Sequence, residues 1–439
     1  MKLFGGAHGA RTASGRAAAV TAAAPRRHNP LKVVAFLLTF VLIGEICYFV
    51  AVFSKNDFIT KWRNIYISTA METMDHQWLA TAIIPAPIID EVMQAQATAK
   101  DSQVGLTSQW EKQEPAVGET DQPMQSNDPE NVEMTVVEDR TPEEIAKEEF
   151  FEIFHEVDPQ SFNAYVIAHP EVLNNGWHQL QINEAGLDDH GTTIETIYGE
   201  QVLAIDYPNK ILLIRIKDSG YQGILAVAKD PSRLKNLPAS TIGKEGETVG
   251  EIAAANNGIL AMNGSGFMDD NGGGDGGTVT GFAMCDYQRF GYSFVAKGEK
   301  RLELHEDNLM YIYDTSAPVS ENCTDAVEWH PAMVVDGKDV VGAGWDGLQP
   351  RACIGQSDKY EILMLVIEGR QPLRSIGITL YECVDILLQH GCMQAINLDG
   401  GTSAMMWYDG EPVISCSNSN LVQVGGRNLP TAWVYGKAE

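Results

Sequence analysis

The stretch Asn397-Leu-Asp-Gly-Gly-Thr-Ser403 gathers an amide, a carboxylate, two glycines and two hydroxyls between two apolar runs. A carboxylate in such a place can serve as nucleophile or general base, or it can simply close a turn. Glycines beside it let a ligand approach the backbone and leave N–H groups as donors. Other residues with chemistry to offer are Glu368 and Arg370 in Glu368-Gly-Arg370, Arg351 after Pro350, Arg427 in Gly426-Arg-Asn428, and Asn263-Gly264 at the end of "ILAMNG". Glu368 also reads as a strand-end charge, and Arg370 and Arg427 as surface or salt-bridged groups.

The elements that must position these residues are mostly strands. Strand-like runs occur at 201–205, 210–216, 223–228, 259–262, 332–335, 361–367, 395–398, 404–407 and 431–435. Helical patterns are few. Thr248-Val-Gly-Glu251 and Thr379-Leu-Tyr-Glu382 are capping boxes that open two helices, each followed by a glycine and a short strand. The run "EILMLVI" (361–367) is apolar throughout, as in a strand covered on both faces. A helix over 380–390 separates it from the strand ending at Asp399, and such a crossover makes the two strands parallel. Glu368 and Asp399 then emerge at one carboxyl edge, the edge at which open α/β sheets bind ligands. Asp409-Gly410 reads as a hairpin turn.

Composition sets the outer limits. The chain has 439 residues, 44% of them hydrophobic, and a formal net charge of −28. No basic stripe is present to displace counterions from phosphates, which argues against nucleic acid as a partner. The apolar run 31–53 is long enough to cross a hydrocarbon layer of about 30 Å. Arg11, Arg16, Arg26, Arg27 and Lys32 outnumber the cations just after it, so the positive-inside bias puts the N-terminus in the cytoplasm and the bulk of the chain outside. A cleaved signal peptide is the rival, but Ala51-Val-Phe53 is a poor cleavage site. The expected organisation is a cytoplasmic segment 1–30, a single-pass signal-anchor 31–53 in the cell membrane, and a juxtamembrane helix with an acidic spacer over 54–140. The spacer should be disordered from about Ala97. A flanking helical segment at 141–194 then leads into a catalytic domain at 195–439. Six cysteines outside the anchor form no metal-ligand spacing and leave disulfides and buried thiols equally open. No HExxH or similar histidine spacing supports a zinc site.

The ordered set Asn263-Gly-Ser-Gly-Phe267, Pro350-Arg-Ala-Cys-Ile-Gly355, Glu368-Gly-Arg370, Asn397-Leu-Asp-Gly-Gly-Thr-Ser403 and Gly426-Arg-Asn428 resembles the phosphodiester glycosidase family. Its members include the uncovering enzyme of the mannose 6-phosphate pathway and bacterial proteins labelled exopolysaccharide-related. The resemblance covers roughly 195–439. It implies an α+β fold, a mixed β-sheet core with flanking helices, and hydrolysis of a sugar 1-phosphodiester on a cell-surface glycan, releasing the sugar and a phosphomonoester. The residues suit that chemistry. An ordinary glycosidase needs a general acid for an alcohol leaving group, whereas a phosphomonoester, with a second pKa of about 6, leaves readily if cations hold it. The resemblance casts Asp399 as nucleophile or base, Arg351 on the phosphate, and Glu368 as helper acid or base or sugar ligand. It gives Asn263, Gly264, Asn397, Gly400, Gly401, Thr402, Ser403 and Arg427 to substrate binding.

Three departures bear on substrate choice: Ala352 where the family usually has Thr, Glu368 where it often has Asp, and Thr402 in place of a third glycine. No metal or other cofactor is implied. Asp269, Asp270, Asn271 and Asp275 in the Gly-rich segment could bind calcium, but they lack EF-hand spacing, and a mobile flap is the preferred reading. A different class stays open: a non-catalytic surface module that binds glycan phosphates or scaffolds wall assembly, which would not need Asp399.

Overall fold

A computed structural model of the chain describes residues 30–73, 76–109, 140–188, 190–269 and 274–438. They fall into two compact units that divide between Thr60 and Lys61. The first contains helix α1 (Pro30–Phe53), whose Leu31–Phe53 portion is long and apolar enough to cross a membrane and keeps most of its apolar side chains exposed. Helix α2 (Asp57–Met71) follows it in the chain.

The second unit is built on a nine-stranded sheet in the order β1 (Gln181–Asn183), β2 (Val202–Asp206), β3 (Ile211–Asp218), β4 (Tyr221–Ala228), β15 (Ile362–Ile367), β14 (Arg351–Ser357), β16 (Cys392–Asn397), β12 (Ala332–Val335), β13 (Lys338–Asp339). One five-stranded sheet has the order β18 (Glu411–Pro412), β17 (Met406–Tyr408), β6 (Gly258–Asn263), β19 (Thr431–Gly436), β5 (Leu234–Pro238). The other runs β10 (Met310–Asp314), β9 (Lys300–His305), β11 (Cys323–Trp329), β7 (Phe282–Cys285), β8 (Gln288–Gly291).

Alternation along the central strands sorts the core. Leu363, Leu365 and Ile367 of β15 join Leu380, Val384 and Leu387 of α8 (Leu380–Gln389), together with Phe150 and Phe162 from two earlier helices. Those helices are α5 (Pro142–Ile153) and α6 (Pro159–Ala168), the flanking segment expected from sequence. Ile362, Met364 and Val366 point the other way, into a core shared with Met262, Trp433, Leu302 and Val327 of the smaller sheets. Each such side chain, fully removed from water, contributes about 1.5–3 kcal/mol, which is why an all-apolar strand settles here. The outer face of the β6 sheet is covered by α7 (Val249–Ala255), through Val249, Ile252 and Ala253.

Both capping boxes form, Thr248 with Glu251 and Thr379 with Glu382. The Asp409-Gly410 turn also forms, with φ of 47° and 97°, the left-handed pair a two-residue hairpin requires. The crossover differs in one respect. β15 and β16 run the same way, but β14 lies between them and is antiparallel to both, so the named pairings of this sheet are antiparallel. The sequence "RACIGQS" of β14 mixes small, polar and charged residues and carries no strand pattern. It is buried along its whole length because neighbours cover it on both sides.

The expected spacer is also ordered where it begins. Helices α3 (Trp78–Thr81) and α4 (Ala86–Ser102) lead into residues 103–109, which are held by buried polar contacts. Gln103 Nε2 donates to the carbonyls of Ala332 at 2.8 Å and Val340 at 2.7 Å, and its Oε1 accepts from Ala332 N at 3.1 Å. Lys300 Nζ donates to the carbonyls of Gln103 and Leu106. A polar sequence gains these partners from a sheet edge far along the chain, which its own composition does not disclose. The remainder of the expected spacer, 110–139, lies outside the described residues. The six cysteines after α1 are buried free thiols.

Candidate active site

An open cleft of about 1340 Å³ lies at the edge where β16 ends. Asp399 follows that strand and lines the cleft with Asn397, Gly400, Gly401, Thr402 and Ser403. Asp399 is set by its backbone: its carbonyl accepts Nδ2 of Asn263 at 2.9 Å, from β6, and Leu398 N donates to Ala352 O at 2.8 Å. Burial pushes the Asp399 carboxyl up from its ordinary value, against the lowering effects of a Ser403 hydrogen bond and the charges of Arg427 and Arg370. Desolvation therefore outweighs two neighbouring cations, the condition that raises a carboxylate toward the pH at which it works as a base.

The two glycines act by absence of a side chain. A Cβ on Gly400 would sit 2.6 Å from Pro350 O, and one on Gly401, whose φ is +61°, would sit 3.1 Å from the Arg370 guanidinium. Gly401 N donates to Pro350 O at 3.0 Å. The expectation that this amide serves a ligand is thereby corrected: it is committed to the loop that carries Arg351.

Three arginines line the cleft: Arg351, Arg370 and Arg427. Arg427 lies 4.2 Å over the Phe267 ring and pairs with Asp269 at 2.9 Å. Arg370, with φ of 59°, rests its Nε and Nη2 on Gln349 Oε1 at 3.1 and 2.8 Å. Arg351 opens β14 at the same edge, and its Nη2 donates to Gly347 O at 2.9 Å and to Glu72 at 2.7 Å. Arg351 Nε and Asn397 Oδ1 are buried with no hydrogen-bond partner. Unsatisfied buried polar atoms facing a cleft are a place for a ligand's own donors and acceptors.

Not every expected residue reaches the cleft. Glu368 is 3% exposed and is held by Arg374, with Nη2 to Oε1 at 2.9 Å, and by Ser415 N at 2.9 Å and Gln222 Nε2 at 3.2 Å. It is not among the cleft-lining residues, and its carboxylate is spent on the loop that presents Arg370. Asn263 and Gly264 likewise lie behind the lining. Asn263 holds Asp399 in place, and a Cβ on Gly264 would strike Thr431 Oγ1. Of the suggested calcium ligands, Asp270 and Asn271 lie outside the described residues. Asp269 and Asp275 accept from Gly274 N and Gly277 N.

Several lining groups carry no signal in the sequence around them. His330 and Trp345 line the wall, with His330 Nδ1 on Glu299 at 2.6 Å and its ring stacked on Trp329. Glu72 follows the end of α2, and Gln96 and Lys100 belong to α4. No local signal marks them; Glu72 is 279 positions from the arginine it pairs with.

A desolvated carboxylate lining an open cleft together with arginines and aromatic rings is an arrangement that suits a hydrolase. Residues 256–435 match the model of the phosphodiester glycosidase family, which marks this stretch of the chain as a hydrolase domain. The chain is 28% identical over 188 residues to an SPbeta prophage-derived uncharacterized protein, YomE, of Bacillus subtilis strain 168, a match spanning 39% of this chain and 28% of that protein. The zebrafish N-acetylglucosamine-1-phosphodiester alpha-N-acetylglucosaminidase catalytic domain shares 17% identity with a TM-score of 0.43, over 52% of this chain and 82% of its own. A hypothetical protein from Synechocystis shares 14% with a TM-score of 0.37, over 53% of this chain and 63% of its own.

Proposed function

We propose that the chain hydrolyses the glycosidic bond of a sugar 1-phosphodiester in a cell-surface glycan or exopolysaccharide, releasing the sugar and leaving a phosphomonoester. It works from the outer face of the cell membrane, held there by α1 as a single-pass anchor. Asp399 attacks the anomeric carbon or deprotonates the water that does. Arg370 and Arg427 hold the departing phosphate, whose bond to the anomeric oxygen survives while the oxygen–carbon bond breaks, and Arg351, paired with Glu72, orients the phosphodiester before cleavage. Thr402, Ser403 and Asn397 take sugar hydroxyls or phosphate oxygens, and the Trp329, His330 and Trp345 wall offers ring faces to the sugar. Glu368, Asn263 and Gly264 serve by holding the loops.

The observation that carries this reading is Asp399: a carboxylate raised by burial, facing arginines, on an Asp-Gly-Gly turn inside the family-matched stretch. The test uses the full chain in detergent with a panel of sugar 1-phosphodiesters, wild type against Asp399→Asn. Free sugar should appear with the wild type and fall by about 10²–10⁴ in the variant. Binding without turnover, or equal turnover in both proteins, would leave a glycan-phosphate-binding module instead.

A further inference from the structure

The end of α2 forms part of the cleft wall, although it lies outside the family-matched stretch. Glu72 Oε2 accepts from Arg351 Nη2 at 2.7 Å, and Gln96 Nε2 lies 3.4 Å from Oε1. The side chains of Arg351 and Glu72 are only 8% and 11% exposed. Gly347 makes room for the pair, since a Cβ there would lie 2.6 Å from a Glu72 carboxylate oxygen. Thr69, one turn earlier, fixes the neighbouring loop. Its Oγ1 accepts from Leu348 N at 2.9 Å and its carbonyl from Gln349 Nε2 at 2.8 Å, the same Gln349 on which Arg370 rests. The segment is no transient visitor, because the buried contacts of Gln103 and Ser108 further along bind it to β12, β10 and β16.

We propose that Glu72 is a specificity-determining residue that quenches the charge of Arg351, so that the cleft accepts a singly charged phosphodiester and rejects a doubly charged phosphomonoester. The inference rests on the reading of the cleft as a phosphodiester site. Its physical basis is simple. A phosphodiester carries one negative charge, whereas a phosphomonoester, with a second pKa of about 6, carries nearly two at neutral pH. Arg351 would reward the second charge if it were bare, and a buried carboxylate at hydrogen-bond distance cancels that reward. For a hydrolase whose product is the monoester, such a bias favours release of product over its retention. Since Glu72 stands outside residues 256–435, it is a device of this chain's own juxtamembrane segment rather than of the matched domain.

The test needs no turnover and no knowledge of the sugar. Methyl phosphate and dimethyl phosphate are titrated calorimetrically at pH 8 against the full chain in detergent. The proteins are wild type, Glu72→Gln, which keeps an oxygen for Arg351 but removes the charge, and Glu72→Asp, which keeps the charge. The expected result is at least a tenfold gain in methyl phosphate affinity for Glu72→Gln, less than threefold change for dimethyl phosphate, and wild-type preference in Glu72→Asp. Should the Gln variant not fold, loss of wild-type preference in Glu72→Asp would still overturn the inference. An equal gain for both probes in Glu72→Gln would make Glu72 a plug rather than a selector and would also overturn it. If dimethyl phosphate binds the wild type and methyl phosphate affinity is unmoved in Glu72→Gln, this inference alone fails. If neither probe binds any of the proteins, the phosphodiester reading of the cleft fails with it.

Discussion

Glu361 and Asp399 stand at opposite edges of one sheet, the first just before β15 and the second just after β16, and their acidities move in opposite directions. At Glu361, burial pushes the carboxyl up, but a hydrogen bond from His155 and the charge and hydrogen bond of Lys229 outweigh it, bringing the group down to about 2. Lys229 Nζ lies 2.8 Å from Glu361 and 2.6 Å from Glu156, with both partners nearly closed to solvent. The trio His155, Glu156 and Glu361 has the spacing of a metal site, yet Lys229 already supplies the positive charge. At Asp399 the same burial wins, because the cations nearby have other partners: Arg427 holds Asp269, and Arg370 rests on Gln349. A saturated carboxylate is a structural group, and an undersupplied one is a reactive group.

Substitutions at the two carboxylates and their partners test that contrast. The largest expected effect is the loss of turnover in Asp399→Asn, about 10²–10⁴ in kcat/KM, measured by sugar release. Next, Lys229→Met should cost roughly 3–5 kcal/mol in denaturant unfolding, since it strands two buried carboxylates, while residual activity per folded molecule stays near wild type.

Acid should then separate the two sites. The Glu361 carboxyl is depressed, so its contribution to stability is present above the ordinary value of 4.5 and is lost as pH falls toward about 2. Glu361→Gln should flatten the acid limb of a stability profile between those values. The Asp399 carboxyl is raised, so its burial costs nothing while it is protonated, and the cost builds as pH rises past the ordinary value of 3.8. Asp399→Asn should melt a few degrees higher than wild type at pH 8, with the gap closing by pH 4. An equal gap at both pH values would contradict the direction assigned to Asp399.

The smallest effect belongs to Glu368→Gln. Removing one charge from the Arg374 contact at a part-exposed arginine should cost about 1 kcal/mol and lower activity by less than tenfold, through the loop carrying Arg370. A loss as deep as that of Asp399→Asn would restore the acid or base role that the sequence suggests for Glu368.

Much of this was legible in the chain itself. Apolar runs marked nine strands to within a few residues, because an apolar strand must find cover wherever it lies. The two capping boxes and the Asp409-Gly410 turn formed as read, since each is satisfied by atoms only a few residues away. Asp399, Gly400 and Gly401 were visible because a turn rich in glycine and polar groups has few other uses between two core strands. What stayed hidden depended on distant partners. Strand β14 has no pattern of its own and exists because β15 and β16 bind it on both sides. β9 reads "KRLELH", as charged as any surface strand, yet Arg301 and Glu303 are fully buried against each other.

The site divides in the same way. Local sequence is enough to mark the residues that can do chemistry, the positions where the chain turns, and the apolar span before the domain. Folding brings Arg374 onto Glu368, sets Arg370 and His330 in the cleft wall, and closes Glu72 on Arg351 across 279 positions. The physical reason is that a side chain's role follows from which opposite charge and which water-excluding neighbours reach it, and the fold alone sets those distances.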